Sequence, residues 1–317
     1  MQTNIRNFGG NPGSVTIFGQ SAGGRSVSIH LVSALSAPLF HRAIIISDPM
    51  QIVLSTRDEA LALAERFGEA VGCATTDTAC LLQLDPSEII YGQKVAVQYL
   101  DISKPISAFM QLVPSVDGVD IPDQPLRMVV EGRNQAKPII MGAVSEETLV
   151  YIYSAWQTPV DIVSYRLLIT AIFKDNATTV LDMYPPDLSS PGDQRDQMAV
   201  VGTHITFSCP NRYAARHLAQ RSDVFFYTFD HAFSFDGWGD GFDFCRGRVC
   251  HGGDLPIIFD SAQIVFNPSS QERELSRQIM GYYGNFAHTG DPNKGPVTGL
   301  LPWPKYLQAR DETIRFT

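Results

Sequence analysis

Ser21 sits at the centre of Gly19-Gln20-Ser21-Ala22-Gly23, with the apolar run Val15-Thr16-Ile17-Phe18 before it and a helix-compatible segment after it. A serine with glycine two residues away on either side suits a sharp strand-to-helix turn, in which the hydroxyl stands clear of the sheet. Gly19 and Gly23 let the chain make that turn without a Cβ clash. The helix that follows offers free backbone N–H groups and the positive end of its dipole where an oxyanion would develop. The chemistry this arrangement suits is attack of a hydroxyl on an acyl carbon. Glycine and serine also abound in loops, so the pentapeptide alone fits an ordinary turn. The strand before it and the helix after it favour the nucleophile.

Such a serine needs a base, and an acid to orient that base; with an elbow of this kind the chain order is serine, carboxylate, histidine. Seven histidines are candidates for the base. His30, His204 and His217 fall in helical patterns, where a lone histidine is ordinarily structural. His41 precedes a strand, and His288 neighbours a helix end. His231 follows a strand and competes with His251, which lies in Arg248-Val249-Cys250-His251-Gly252-Gly253-Asp254-Leu255-Pro256. The acid is expected where Gly142-Ala143-Val144-Ser145-Glu146-Glu147-Thr148 leaves a strand and opens a helix. First-turn acids are common at helix starts, and Glu146 reads as one of these or as solvent-facing.

The elements that would position these residues are legible from periodicity. Apolar, β-rich runs at 14–18, 42–47, 138–144 and 224–230 read as strands, and 313–316 as a short last strand. Amphipathic stretches at 21–33, 56–71, 160–174, 195–207 and 270–287 read as helices. Strands alternating with helices predict an α/β fold with a mostly parallel sheet and helices on both faces.

The flanks of the elbow extend the pattern. Residues 7–24, running from Asn7-Phe8-Gly9-Gly10-Asn11-Pro12-Gly13 into the elbow, closely resemble the nucleophile region of the type B carboxylesterases, the cholinesterase-like branch of the α/β-hydrolases. Leu39-Phe40-His41-Arg42-Ala43-Ile44, Pro114-Ser115-Val116-Asp117-Gly118, Ile121-Pro122-Asp123-Gln124-Pro125, Asn285-Phe286-Ala287-His288-Thr289-Gly290-Asp291-Pro292-Asn293 and Leu301-Pro302-Trp303-Pro304-Lys305-Tyr306 resemble later segments of that family. The resemblance implies a single α/β-hydrolase domain over residues 1–317, with cap-like helical regions at about 85–110 and 160–207. It implies a Ser21–Glu147–His251 triad acting on a small-molecule carboxylic ester through an acyl-enzyme. The Ala22 N–H would be one oxyanion donor, and Ser47 and Gln20 would support the triad from behind. It also implies that the elbow strand is central in the sheet, so the front strands are missing here and on the order of 100 residues or more would precede this sequence. The remaining oxyanion donors would come from a glycine-rich loop ahead of the elbow. Gly9-Gly10 reads instead as a turn, and His251-Gly252-Gly253 matches the histidine loop. Loss of one such donor costs about 10²–10³ in rate. A catalytically impaired or binding-type family member is therefore the alternative, although adhesion relatives lack the serine that is kept here.

Three departures from the family pattern bear on the chemistry. Gln20 replaces a glutamate beside the nucleophile, which removes a negative charge and weakens the case for a cationic substrate. Thr148 stands where glycine usually follows the acid. Asp48 stands where glycine usually follows Ser47, and this extra carboxylate would either perturb the histidine or face solvent. Phe233, Phe235 and Trp238 suit a pocket wall and suit core packing equally well.

Composition sets outer bounds. Apolar and charged fractions are those of a soluble globular protein, and a net charge of −9 with no basic cluster argues against nucleic acid. No run approaches the ~20 apolar residues of a membrane span, and no signal segment opens the chain. No metal or cofactor motif is present. The five cysteines allow two local disulfides, Cys73 with Cys80 and Cys245 with Cys250, leaving Cys209, or they are five thiols. Related secreted esterases carry local bridges, so the resemblance favours the disulfides and a secreted or ER-lumenal full-length form. Asn176-Ala177-Thr178 is the one glycosylation sequon. With the front strands missing, the elbow strand is expected to be an open edge through which copies self-associate.

Overall fold

A computed structural model describes residues 1–98 and 110–317. The chain divides into two compact units, one made of Met1–Gln51 with Pro125–Thr317 and the other of Ile52–Gln124.

The larger unit is built on a five-stranded parallel sheet whose spatial order follows the sequence: β1 (Thr16–Gln20), β2 (Arg42–Ile46), β3 (Ile139–Val144), β4 (Val224–Phe229) and β5 (Ile314–Phe316). β2 and β3 are buried along nearly their whole length, as expected of parallel strands covered on both faces. The first strand begins two residues later than the apolar run suggests. Its register pairs Thr16 with Arg42 and Gln20 with Ile46, so the ladder carries Gly19 and Gln20 despite their weak strand preference. Val15 instead holds the loop before β2, donating its N–H to the ring of His41 at 3.1 Å and accepting the His41 N–H at 2.7 Å.

Alternate residues of each strand feed two cores. On one face Ala43, Ile45, Ile139, Met141, Val224 and Phe226 meet α1 (Ala22–Val32). The second unit holds α2 (Arg57–Val71), α3 (Thr78–Gln83) and α4 (Pro86–Ala96), and the chain then returns to the first core through α5 (Pro125–Val130). After β3 come α6 (Leu149–Ala155), α7 (Ile162–Phe173), α8 (Ala177–Met183) and α9 (Arg195–Thr203). These pack into a helical layer around the fully buried Leu149 and Tyr165. Through the π turn His204–Ser208 the chain enters α10 (Cys209–Leu218), a helix beyond the stretch expected at 195–207. Ala214, Ala215 and Leu218 of α10 complete the first core. On the other face, Ile44, Ile46, Ile140, Phe225, Tyr227 and Phe229 meet α11 (Leu255–Ile258) and α13 (Ser270–Thr289), with the short α12 (Ala262–Val265) between them. Trp303 plugs this core, donating its indole N–H to the Phe226 carbonyl at 3.1 Å. The fold is therefore a mostly parallel α/β sheet with helices on both faces, as in an α/β-hydrolase.

In the smaller unit α2 starts at a capping box, Thr56 with Glu59, and ends at Gly72 in the left-handed region. Cys73 and Cys80 are bridged. Of the cap-like region expected at 85–110, α4 is described, and 99–109 lie outside the described residues. The second expected cap region, 160–207, is helical and forms the layer of α7, α8 and α9. Among the described residues no helix is long and apolar enough to cross a membrane.

Candidate functional site

Ser21 occupies the turn between β1 and α1 with φ 57° and ψ −118°, a conformation that costs a non-glycine residue about 1–3 kcal/mol. Neighbouring backbone bonds hold it there. Its N–H donates to the Ile46 carbonyl, and its carbonyl accepts from the Arg25 N–H, both at 2.9 Å. Of the two glycines expected to be needed, Gly19 is: a Cβ there would lie 2.2 Å from the Gly23 carbonyl. Gly23 itself has open space, and the second close approach belongs to Gly24, where a Cβ would sit 2.7 Å from the Ile46 oxygen. The Ala22 N–H opens α1 beside Ser21, among the N–H groups that a helix start leaves without helical partners.

Glu147 follows the end of β3 and is fully buried. One carboxylate oxygen accepts the Val144 N–H at 2.9 Å, and the other is hydrogen-bonded to Nδ1 of His251. Thr148, the residue that departs from the family glycine, spans to α9. Its hydroxyl donates to the Ala199 carbonyl at 2.7 Å, and its N–H donates to the Thr203 hydroxyl at 3.1 Å. Gly202 makes the space, because a Cβ there would be 2.5 Å from the Thr148 hydroxyl oxygen.

His251 follows the Cys245–Cys250 disulfide and lies between the rings of Phe207 and Tyr151, with centroids 5.3 and 5.4 Å away. Its loop is fixed by Glu146. That carboxylate accepts from the Arg248 guanidinium at 2.7 Å and from the Val249 N–H at 2.8 Å, and Glu146 bridges to Cys250. Glu146 is thus neither a solvent-facing acid nor a helix-start acid. The two adjacent glutamates split the work, Glu146 holding the loop and Glu147 the imidazole. Nε2 of His251 lies 3.1 Å from the Gln20 side-chain nitrogen. An amide nitrogen only donates, so Nε2 accepts there and the ring proton sits on Nδ1, facing Glu147. Burial raises the Tyr151 phenol above the ordinary tyrosine range, with Ser21 opposing and the Glu147 charge adding to it. Among the described residues no hydrogen bond joins Ser21 to His251.

Behind this pair lies a group the sequence reading did not single out. Asp254, three residues after His251, is fully buried. Burial first, and then the Glu147 charge, push its carboxyl up to about 7 against the opposing pull of His251 and Tyr227. One oxygen accepts from the Tyr227 hydroxyl at 3.3 Å, and the other has no hydrogen-bond partner. Its only sequence signal was a carboxylate beside the histidine and just ahead of an apolar helix.

Ser47 follows β2 with φ 50°, fully buried, and its hydroxyl has no hydrogen-bond partner. Asp48 neither faces solvent nor touches the histidine. It is fully buried under α1, where the Ser28 hydroxyl donates to it at 2.5 Å and the Arg25 guanidinium stands 3.5 Å away. Burial raises its carboxyl above the ordinary aspartate range, with Arg25 and Ser28 opposing. His231, the competing base, contacts Glu272 at 3.3 Å instead. Phe233 stacks on Phe235 and Trp238 at 4.6 and 5.8 Å, and Phe235 stacks on Phe266 at 5.0 Å. Cys209 is unbridged and exposed. Among the described residues no group of three or more His, Cys, Asp or Glu side chains could hold a metal ion.

Comparison with known proteins agrees with this fold. The sequence profile of the carboxylesterase family matches residues 1–317. The chain is 37% identical over 315 residues to the cAMP-regulated D2 protein of Dictyostelium discoideum, covering 98% of the chain and 58% of that protein. It is 30% identical over 335 residues to liver carboxylesterase 1 of Oryctolagus cuniculus (96% and 56% covered) and 28% identical over 338 residues to acetylcholinesterase of Bungarus fasciatus (99% and 54%). The chain thus spans a little over half the length of these relatives.

Proposed function

Because the chain belongs to the carboxylesterase family, we propose that its site hydrolyses carboxylic esters through Ser21, His251 and Glu147. The observation that carries this reading is the buried Glu147–His251 pair hung beside Gln20, the residue adjoining a serine in a strained elbow. With an ester seated, Ser21 Oγ bonds to the carbonyl carbon and its proton passes to Nε2 of His251. Glu147 holds the imidazolium through Nδ1. The carbon–oxygen bond to the leaving alcohol then breaks, and that oxygen takes the proton from Nε2. Water repeats the sequence on the acyl-enzyme, releasing the acid and restoring Ser21. The Ala22 N–H, at the start of α1, donates to the oxyanion. The substrate is an uncharged small ester; Gln20 places no negative charge beside Ser21 for a cationic one.

Hydrolysis of p-nitrophenyl acetate by the purified chain tests this reading. Ser21→Ala and His251→Ala are expected to abolish turnover above the uncatalysed rate. Turnover that persists in Ser21→Ala would show another nucleophile. A second reading, a fold member that binds without catalysis, draws on two relatives whose names state no reaction, the D2 protein and the 33%-identical Crystal protein of D. discoideum. Ester turnover that depends on Ser21 separates the two.

A further inference from the structure

Ser21 leaves the end of β1 and Glu147 lies just beyond the end of β3, so the sheet fixes both. His251 has no such support. Residues 230–250 separate it from the end of β4, and they contain no strand. Something other than the sheet has to place the imidazole.

The Cys245–Cys250 bridge ends on the residue before His251. Its other end is docked on α6, the helix that opens two residues after Glu147. Phe244 stacks on Tyr153 of α6, with centroids 4.9 Å apart and 21° between the ring planes. Cys245 and Cys250 are both fully buried, and they share a core with Leu149 and Ile152 of α6. The path from Glu147 through α6 and the bridge to His251 is closed by the Glu147–His251 hydrogen bond. Acid and base are thus tied to each other by a route that does not pass through the sheet. From the other side Glu146 holds Arg248 and the Val249 N–H. A bridge between residues five apart removes less freedom from the unfolded chain than one closing a long loop, so global stability is the weaker explanation for it.

We infer that Cys245 and Cys250 are positioning residues, whose bridge seats His251 against Glu147 and so fixes where Nε2 stands for proton transfer. The inference rests on the reading of His251 as the base. Proton transfer tolerates little displacement, and a misplacement of about 1 Å costs about 100-fold in rate. The Glu146 contacts remain when the bridge is opened, so the loop is loosened rather than freed. The expected loss is therefore about 10- to 100-fold in kcat. It falls on kcat with KM unchanged, because the base works in the transition state and not in substrate binding.

The second bridge of the chain supplies the control. Cys73 and Cys80, seven residues apart in the smaller unit, close a loop of similar span. On the full chain, Cys245→Ser with Cys250→Ser is expected to lower kcat for p-nitrophenyl acetate about 10- to 100-fold. Cys73→Ser with Cys80→Ser is expected to leave kcat unchanged. Urea midpoints that fall while kcat stays in place in both pairs, or an equal loss of kcat in both, overturn the proposal. Cys245→Ala with Cys250→Val fills the buried site with apolar side chains and replaces the serine pair if that pair does not fold. If neither pair gives a folded chain, the bridge serves folding and not the base, and the proposal fails. The ¹H resonance of the His251 Nδ1 proton reads the contact with Glu147 without turnover. It is expected to be sharp in the unmodified chain and broadened or shifted when the bridge is removed, and an unchanged resonance overturns the proposal. An unmodified chain without esterase activity counts against the ester-hydrolase reading alone, and the resonance then decides the role of the bridge by itself.

Discussion

Replacing Asp254 with asparagine should flatten the pH dependence of stability, and the size follows from the environment of Asp254. The carboxyl is fully buried between Tyr227 and the Glu147–His251 pair, and it titrates near 7 instead of 3.8. The native state therefore binds this proton more tightly than the unfolded chain does. The associated stability is fully present below about pH 4 and is lost as pH rises through 7. A displacement of about three pH units corresponds to about 4 kcal/mol at 1.36 kcal/mol per unit. Asparagine keeps the shape and removes the titration. Its absolute stability will shift by a constant set by how its amide finds partners, so the slope is the quantity to compare. Reversible urea unfolding at intervals from pH 4.5 to 8.5 supplies it. The stability of the unmodified chain is expected to decline relative to Asp254→Asn by about 3 kcal/mol across that range. Parallel curves would refute the assignment, and would mean that the buried carboxylate is compensated at neutral pH.

The elbow glycines should separate cleanly: Gly19→Ala and Gly24→Ala each drive a Cβ into backbone and should cost about 1–3 kcal/mol in urea unfolding, whereas Gly23→Ala enters open space and should be neutral or stabilising by up to about 1 kcal/mol. Glu272, 1% exposed, should make the stability of the loop at 231–238 fall in acid. Burial would raise its carboxyl, but hydrogen bonds from Ser234 and Ser269 outweigh this and bring it down to about 2 from 4.5. That contributes about 3 kcal/mol present above pH 4.5 and lost as pH falls through 2, so Glu272→Gln should be less stable at pH 7 and flat between pH 5 and 2 in acid-unfolding curves. β1 is an edge of the described sheet, and Phe18 on it is 56% exposed. We expect copies to associate there, so that light scattering reports a mass above that of one chain and Phe18→Lys lowers it; a monomer in the unmodified chain would contradict this.

What was legible in the sequence was the part written in local pattern. β2, β3 and β4 show as apolar runs because parallel strands are buried on both faces, and Ser21 shows because a tight elbow demands glycine on its strand side. Register was not legible. β1 starts two residues later than its apolar run because pairing with β2, rather than side-chain preference, sets its limits. α10 was not legible, because Pro210 just beyond the stretch at 195–207 has the look of a breaker, although proline is tolerated in a helix's first turn. Gly23 and Gly24 could not be ranked, since the distinction depends on how closely α1 approaches the end of β2. Long-range partners were the least accessible. Nothing local shows that Glu146 reaches Arg248 or that Asp48 is sealed under α1 with Arg25. Nor does anything local place the Asp254 carboxyl behind the Glu147–His251 pair, because such contacts join residues that only the fold brings together.

The claim that carries the most weight is that Ser21 is the nucleophile of an ester-hydrolysing site. Its most direct test is to treat the purified chain with a fluorophosphonate, digest it, and locate the adduct by mass spectrometry. A single adduct is expected on the peptide containing Gly19-Gln20-Ser21-Ala22-Gly23, absent in Ser21→Ala and strongly reduced in His251→Ala. An adduct on a different residue, or labelling at Ser21 that proceeds undiminished without His251, would contradict it.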